Sequence, residues 1–237
     1  MILILLAAGK GSRLPKKYRK KPKCLSKINN KSILDYNLNF YNRFSKKLIV
    51  TGYKNFLLKK FIKENNFKEI KNKNYFKTNM VESLFLTSKF ITDDVIICYG
   101  DVIFDDSIFE KLKKKKNLLP IYKNWFNYWK KRMKKNQIYA DAENLKTKNN
   151  KLVEIGTKIQ SNLPSYQYMG IIKLGGKKFF EMKKFYKKIN NKKIDMTSFI
   201  NECLKSKILN IDVVKYSKFW FEIDSGKDIK VAENGLK

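Results

Sequence analysis

Residues 1–7 form an almost unbroken apolar run, the pattern of a strand covered on both faces of a sheet. Strand-length apolar runs then alternate with stretches of helix length. Residues 32–44 read as a helix opened by Ser32, with Ile33, Tyr36, Leu38 and Phe40 along its apolar face. Residues 47–52 read as a second strand, 54–64 as a second helix, and 67–72 as a short strand. Asn79 and Glu82 have capping-box spacing at the head of a helix over 79–90. Another buried strand, 94–99, runs into Gly100-Asp101. This alternation predicts an α/β fold on a mostly parallel, doubly wound, Rossmann-like sheet.

Beyond Asp101 the alternation loosens. A strand is expected over 118–123, an aromatic-rich helical turn over 124–134, and a hairpin of 138–146 and 151–155 around Lys148-Asn149-Asn150. A strand over 166–174 precedes helices over 176–189 and 195–206. Strands near 208–215 and 219–223 and a helix opened by Ser225 follow. The second half should therefore add a small antiparallel elaboration. No Pro-, Gly- or Ser-rich linker interrupts the chain, so one domain over 1–237 is expected.

Composition narrows the partners. The chain is 43% hydrophobic, enough for a sizeable core, and carries a formal charge of +32. Such a charge suggests nucleic acid or an anionic membrane as partner. Yet the arginines among its 53 basic residues are only Arg13, Arg19, Arg43 and Arg132, whereas base-reading surfaces favour arginine's planar fork. Lysines are spread over nearly every segment, and the run 113–116 closes a predicted helix, where cations suit the dipole. A solvated lysine surface that draws in small anions is the expectation, with neither nucleic acid nor membrane as partner. Cys24, Cys98 and Cys203 are widely separated, with no CxxC pair, and fit free thiols in the cytoplasm. The apolar start lacks a basic flank and is too short to span a membrane.

The chain has no histidine. Ser-His-Asp triads, His-ligated zinc and HExxH chemistry are thereby excluded. Carboxylates, lysine, arginine and backbone amides must carry any reaction.

The first such constellation is Leu6-Ala7-Ala8-Gly9-Lys10-Gly11-Ser12-Arg13, directly after the first strand. Its small residues let the backbone approach a phosphate chain, and their N–H groups can form an anion-binding nest. It is neither a Walker A motif nor a GxGxxG fingerprint. A plain strand-to-loop turn would explain Gly9, but not Gly11, Arg13 and the downstream Lys21-Pro22-Lys23 together. The second constellation is Asp101 with Asp224, each at the end of an apolar strand, where doubly wound sheets place ligand-facing residues. Two carboxylates with phosphate oxygens and waters suit Mg²⁺. The third is Trp125, Trp129, Asp141, Glu143, Tyr168 and Glu222, aromatic faces and carboxylates that suit a cationic amine. Trp125 and Trp129 also have the four-residue spacing of a packing face.

LAAGKGSRLP followed by KPKCL resembles the nucleotidyltransferases of the sugar-nucleotide and phosphocholine cytidylyltransferase type. Their signature is an LAAGxGxRL loop and a later Pro-Lys, and Lys23 stands where that family keeps its lysine. Thr78-Asn79-Met80-Val81, Tyr99-Gly100-Asp101, Asn124-Trp125 with Trp129 and Arg132, Asp141-Ala142-Glu143, Glu154-Ile155-Gly156, Gln167-Tyr168-Met169-Gly170 and Asp195-Met196-Thr197-Ser198-Phe199 are similar to segments of one subgroup. Its members occur with capsule and phosphonate or phosphoramidate pathways, some activating glutamine phosphate.

The resemblance implies a cytidylyltransferase that transfers CMP from CTP to a small phosphorylated or phosphonate acceptor and releases pyrophosphate. It also implies that Asp101 and Asp224 hold the catalytic metal. Residues 1–115 would bind nucleotide and 116–237 the acceptor. Lys23 would neutralise an α-phosphate or the acceptor phosphate, and Lys10 and Arg13 the leaving pyrophosphate. The base would sit against Gly52-Tyr53 and Asn79-Met80. The acceptor phosphate is already an anion, so no general base is required, in keeping with the missing histidine. A sugar 1-phosphate transferase using UTP or another nucleotide, a nucleic-acid-binding protein and a non-catalytic nucleotide sensor are the alternatives. A monomer and a homodimer are both compatible with this reading.

Overall fold

A computed structural model describes residues 1–160 and 162–236. Four parallel strands form its first half: β1 (Ile2–Ala7), then, past the short hairpin of β2 (Lys27–Ile28) and β3 (Lys31–Ser32), β4 (Lys46–Thr51), β5 (Phe67–Lys71) and β6 (Val95–Tyr99). They lie in the order β5-β4-β1-β6. Every residue of β1 and of β6 is buried, which is why both read as continuous apolar runs. The register pairs Leu6 with Val50 on one side and Tyr99 on the other, so these strands end level. The loops that leave them crowd together at one edge of the sheet.

Helices flank this half: α1 (Ile33–Tyr36), α2 (Leu38–Tyr41), α3 (Lys59–Glu64), α4 (Met80–Phe85) and, after strand β7 (Val102–Phe104), α5 (Ile108–Leu112). Ser32 opens α1 through a capping box with Asp35. The helix expected over 32–44 is broken at Asn37. The Nδ2 of this buried residue donates to the Val102 carbonyl at 2.7 Å, and its Oδ1 accepts from Phe104 N at 3.3 Å, tying the helix to β7. The capping box expected at 79–82 does not form. Asn79 Oδ1 accepts from Met80 N, while Glu82 takes the Tyr186 hydroxyl at 2.7 Å. The helix expected over 79–90 ends at Phe85, followed by a 3₁₀ turn at Ser88–Phe90.

The second half extends the sheet through β8 (Leu118–Tyr122), β9 (Glu143–Lys148), β10 (Lys151–Lys158), β11 (Gln167–Tyr168), β12 (Ile171–Leu174) and β13 (Asp212–Tyr216). The sheet continues from β6 as β12-β8-β13-β10-β9, with β11 on β8. β12 runs antiparallel to β6, β13 parallel to β8, and β9–β10 is the antiparallel hairpin. The mostly parallel sheet with an antiparallel addition matches the sequence pattern. Helices α6 (Trp125–Arg132), α7 (Lys135–Asp141), α8 (Gly176–Ile189), α9 (Met196–Lys205) and α10 (Gly226–Gly235) cover it, and β14 (Trp220–Glu222) pairs with β7.

The strand expected from 138 starts instead at Glu143, because 135–141 is helical. Ile138 and Ala142, four apart, are the positions that meet the core there. The strand expected over 166–174 is interrupted at Met169-Gly170. Gly170 has φ +70°, and a Cβ on it would lie 2.8 Å from Tyr99 Cδ2.

Candidate active site

The signature loop leaves the end of β1 beside the ends of β4 and β6. Gly100 N donates to Leu6 O at 2.9 Å, and Tyr53 N donates to Ala8 O at 3.1 Å, so the neighbouring strand ends pin the start of the loop. Gly11 adopts φ +67°, and a Cβ there would sit 3.0 Å from Lys23 Cβ. A Cβ on Gly9 would meet nothing within 4 Å. Gly11 is therefore required by the fold, whereas a side chain at Gly9 would meet only open space among the described residues. Gly11→Ala is expected to cost about 1–2 kcal/mol through its left-handed backbone, whereas Gly9→Ala should leave the melting temperature unchanged and raise the KM for nucleotide. Melting curves and steady-state kinetics of both variants check this pair of outcomes.

Asp101 and Asp224 meet through the β7–β14 pair. Val102 is in register with Glu222, and Ile223 N donates to Asp101 O at 2.9 Å, which sets the two aspartates side by side. Lys23, delivered by a 3₁₀ turn after Pro22, lies between them. Its Nζ donates to Asp101 Oδ2 at 2.7 Å and also to Asp224 Oδ1. Arg13 Nη2 closes on Asp224 Oδ2 at 2.8 Å. Lys23 is only 9% exposed. Burial disfavours its charge, but the carboxylates of Asp101 and Asp224 outweigh that and hold its pKa above the ordinary lysine value. Burial raises Asp224, but Lys23 and then Arg13 pull it below the usual carboxylate range. Partial burial, then the charges of Asp224 and Asp101, push Glu222 well above that range. Among the described residues, Asp101 Oδ1 is buried without a hydrogen-bond partner. No group of three or more His, Cys, Asp or Glu side chains is arranged around a metal position among the described residues.

A cavity of ≈ 200 Å³ opens on each side of this cluster. The first is lined by Leu6, Ala8, Gly9, Tyr75, Thr78, Asn79, Met80, Ser83, Tyr99 and Asp101. Of the proposed nucleotide set, Leu6, Ala8, Gly9, Asn79 and Met80 face it. Gly52 stands behind its wall, where a Cβ would strike Tyr75 Cβ at 2.7 Å. Ala7 is buried in β1, and Lys10 and Ser12 project from the exposed loop. The amide of Asn79 is already engaged, accepting from Met80 N at 2.8 Å and donating to Lys193 O at 3.2 Å. Tyr75, Thr78, Ser83 and Tyr99 were not singled out as nucleotide contacts from the sequence, although Thr78 and Tyr99 lie inside the resembling segments.

The second cavity is lined by Trp129, Asp141, Glu143, Tyr168 and Glu222, with Arg13, Asp195, Thr197 and Asp224 among its other walls. Five of the six residues grouped from the sequence as an acceptor pocket thus share one space. Trp125 does not. It is 2% exposed, and its Nε1 donates to Pro164 O at 3.0 Å. Trp129 Nε1 donates to Asp141 Oδ2 at 2.8 Å, and Thr197 Oγ1 donates to Glu143 Oε1 at 3.0 Å. Burial raises the Glu143 carboxyl above its ordinary value. The Tyr168 hydroxyl is buried without a partner. Met80 and Tyr99 line both cavities, so the two spaces adjoin there, with Asp101 on the wall of the first and Asp224 on the wall of the second.

Over 98% of its length the chain is 32% identical to the CTP:phosphoglutamine cytidylyltransferase of Campylobacter jejuni subsp. jejuni, and covers 98% of that relative. It belongs to the cytidylyltransferase family. Its fold agrees with that of two solved members, each at 17% identity and a TM-score of 0.78. They are the inositol-1-phosphate CTP transferase of T. maritima, with 99% of this chain and 95% of that one covered, and the CTP:phosphocholine cytidylyltransferase of Streptococcus pneumoniae, with 100% and 99% covered. No protein-family model matches the chain. The chain is thus a nucleotidyltransferase. Among the described residues no helix is long and apolar enough to cross a membrane.

Proposed function

We propose that this cytidylyltransferase transfers CMP from CTP to the phosphate of a small acceptor bearing an ammonium group, with release of pyrophosphate. The observation that carries the reading is that the two cavities adjoin at Met80 and Tyr99, with Asp101 on the wall of one, Asp224 on the wall of the other, and Lys23 bridging the two carboxylates. The glycine-lined cavity suits the nucleotide. The carboxylate-lined cavity, with Trp129 as an aromatic wall, suits a cation. Phosphoglutamine heads the candidate acceptors, because the Campylobacter jejuni relative is a CTP:phosphoglutamine cytidylyltransferase.

In this scheme an oxygen of the acceptor phosphate attacks the α-phosphorus in line, and the bond to the β-phosphate oxygen breaks. Lys23 offsets the charge that grows on the transferring phosphate, and Arg13 that on the departing pyrophosphate. Asp101 and Asp224 would hold Mg²⁺. The free Oδ1 of Asp101 and the two hard carboxylates fit an ion that completes its sphere with water and phosphate oxygens. When bound, that ion supplies charge neutralisation at the phosphates. Glu143, Asp141 and Glu222 orient the ammonium end of the acceptor.

A pyrophosphate-release screen tests the reading. Phosphoglutamine, phosphocholine, an aminoalkylphosphonate and a sugar 1-phosphate are each offered with CTP, UTP, ATP and GTP in the presence of Mg²⁺. Turnover is expected with CTP and an ammonium-bearing acceptor. Turnover only with UTP and a sugar 1-phosphate would replace the proposal with the sugar-transferase alternative.

A further inference from the structure

Arg132 closes the basic last turn of α6 (Lys130-Lys131-Arg132), a place where cations ordinarily stand solvated. Its side chain is instead 1% exposed. Nη1 donates to Asp228 Oδ1 at 3.0 Å, and Nη2 lies 3.5 Å from Asp141 Oδ2 and 4.0 Å from Glu222 Oε2. The guanidinium carbon sits 3.9 Å from the centroid of the Trp129 ring. Asp228 is equally buried and turns its second oxygen to two backbone amides, accepting from Asp224 N at 2.9 Å and Ser225 N at 2.6 Å.

Helix capping accounts for the bond from Asp228 to Ser225, because Ser225 and Asp228 form the capping box of α10. It does not account for a guanidinium drawn out of water beneath them. A desolvated charge is tolerated where its partners are fixed around it. Each carboxylate that pairs with Arg132 belongs to the site or supports it. Asp141 and Glu222 are walls of the acceptor cavity, and Asp228 holds the turn that carries Asp224 to Lys23.

We infer that Arg132 is a positioning residue for the transfer reaction: through Asp228 it fixes the turn bearing Asp224, and through Asp141 and Glu222 it fixes the acceptor cavity. It acts on both ends of the chemistry through other side chains. Lysine cannot substitute, because a single ammonium does not span Asp228 and Asp141 as the planar fork does. The inference rests on the transferase reading above.

Arg132→Lys and Asp228→Asn are assayed by pyrophosphate release from CTP and the acceptor found in the screen, with rates expressed per CTP-binding site. Partners that orient a site from behind are worth about 10–100-fold in activity. A fall in kcat of that size is expected in both variants, with a raised acceptor KM. Neither residue lines the nucleotide cavity, so the KM for CTP should stay within about threefold, a split that mere loss of folded protein does not produce. Should the lysine variant fail to fold, the isosteric Asp228→Asn decides alone. Wild-type kcat and acceptor KM in the folded variants would overturn the inference. So would a rise in CTP KM equal to that for the acceptor, or loss of CTP binding in both, since Arg132 would then serve the fold as a whole. A wild-type enzyme that releases no pyrophosphate with any acceptor sinks the transferase reading itself, and the positioning role with it.

Discussion

Asp101→Asn and Asp224→Asn should each lower pyrophosphate release by roughly three orders of magnitude, the scale on which a misplaced charge stabiliser is felt in phosphoryl chemistry. Asparagine keeps the volume of each side chain, so packing is preserved and the lost charge is what is measured. The two variants should differ in stability. Asp101 pairs with Lys23 alone, whereas Asp224 pairs with both Lys23 and Arg13. Either variant leaves buried Lys23 with a single carboxylate, but Asp224→Asn also breaks the Arg13 pair, so it should melt lower than Asp101→Asn. Asp101, with an oxygen that has no partner, should be the more purely functional of the two. Rates measured across a range of Mg²⁺ concentrations test the metal assignment. Turnover equal to wild type in both variants would end it.

The local part of this arrangement can be read from the chain by itself. The run through Ala7 and the glycines after it announce a central strand and a phosphate-approach loop, because strand burial and loop backbone depend on neighbouring residues. The pairing of Asp101 with Asp224 is anticipated only in outline. Both stand at strand ends, but the contact is made by β7 and β14, and the three residues of β7 are too short a run to be recognised in advance. The period-two alternation of Ile138, Ala140 and Ala142 imitates a strand. The core instead takes Ile138 and Ala142, and that choice depends on the rest of the fold.

Arg132 stands in one of the segments that resemble the family, but its burial marks the limit of sequence reading. A cation at a helix end is ordinarily solvated, and nothing near it in sequence says that Asp228 lies opposite. Trp125 and Trp129 are equivalent by sequence, four residues apart on one helix. The Pro164 carbonyl engages one and Asp141 the other, so that only Trp129 reaches the acceptor cavity. Long-range partners decide which aromatic faces a ligand.

Lys23→Met should produce the second large effect, and the two halves of that effect separate the roles of the lysine. Without the ammonium, Asp101 and Asp224 face one another; Arg13 remains paired with Asp224 but is largely exposed, and Arg132 acts on Asp224 only at longer range. Leaving buried carboxylates uncompensated costs about 3–5 kcal/mol, so the variant should melt well below the wild type in the absence of divalent cation. Mg²⁺ binds to those carboxylates in the proposed scheme. It should therefore raise the melting temperature of Lys23→Met more than that of the wild type, since a ligand of the native state stabilises in proportion to its affinity. Turnover should not follow. The cation that offsets charge at the transferring phosphate is missing however much Mg²⁺ is added, and a loss of about 10³-fold in kcat should persist at saturation. Recovery of both stability and turnover with Mg²⁺ would reduce Lys23 to a counter-ion for the two aspartates. Recovery of stability alone would place its ammonium on the reacting phosphate.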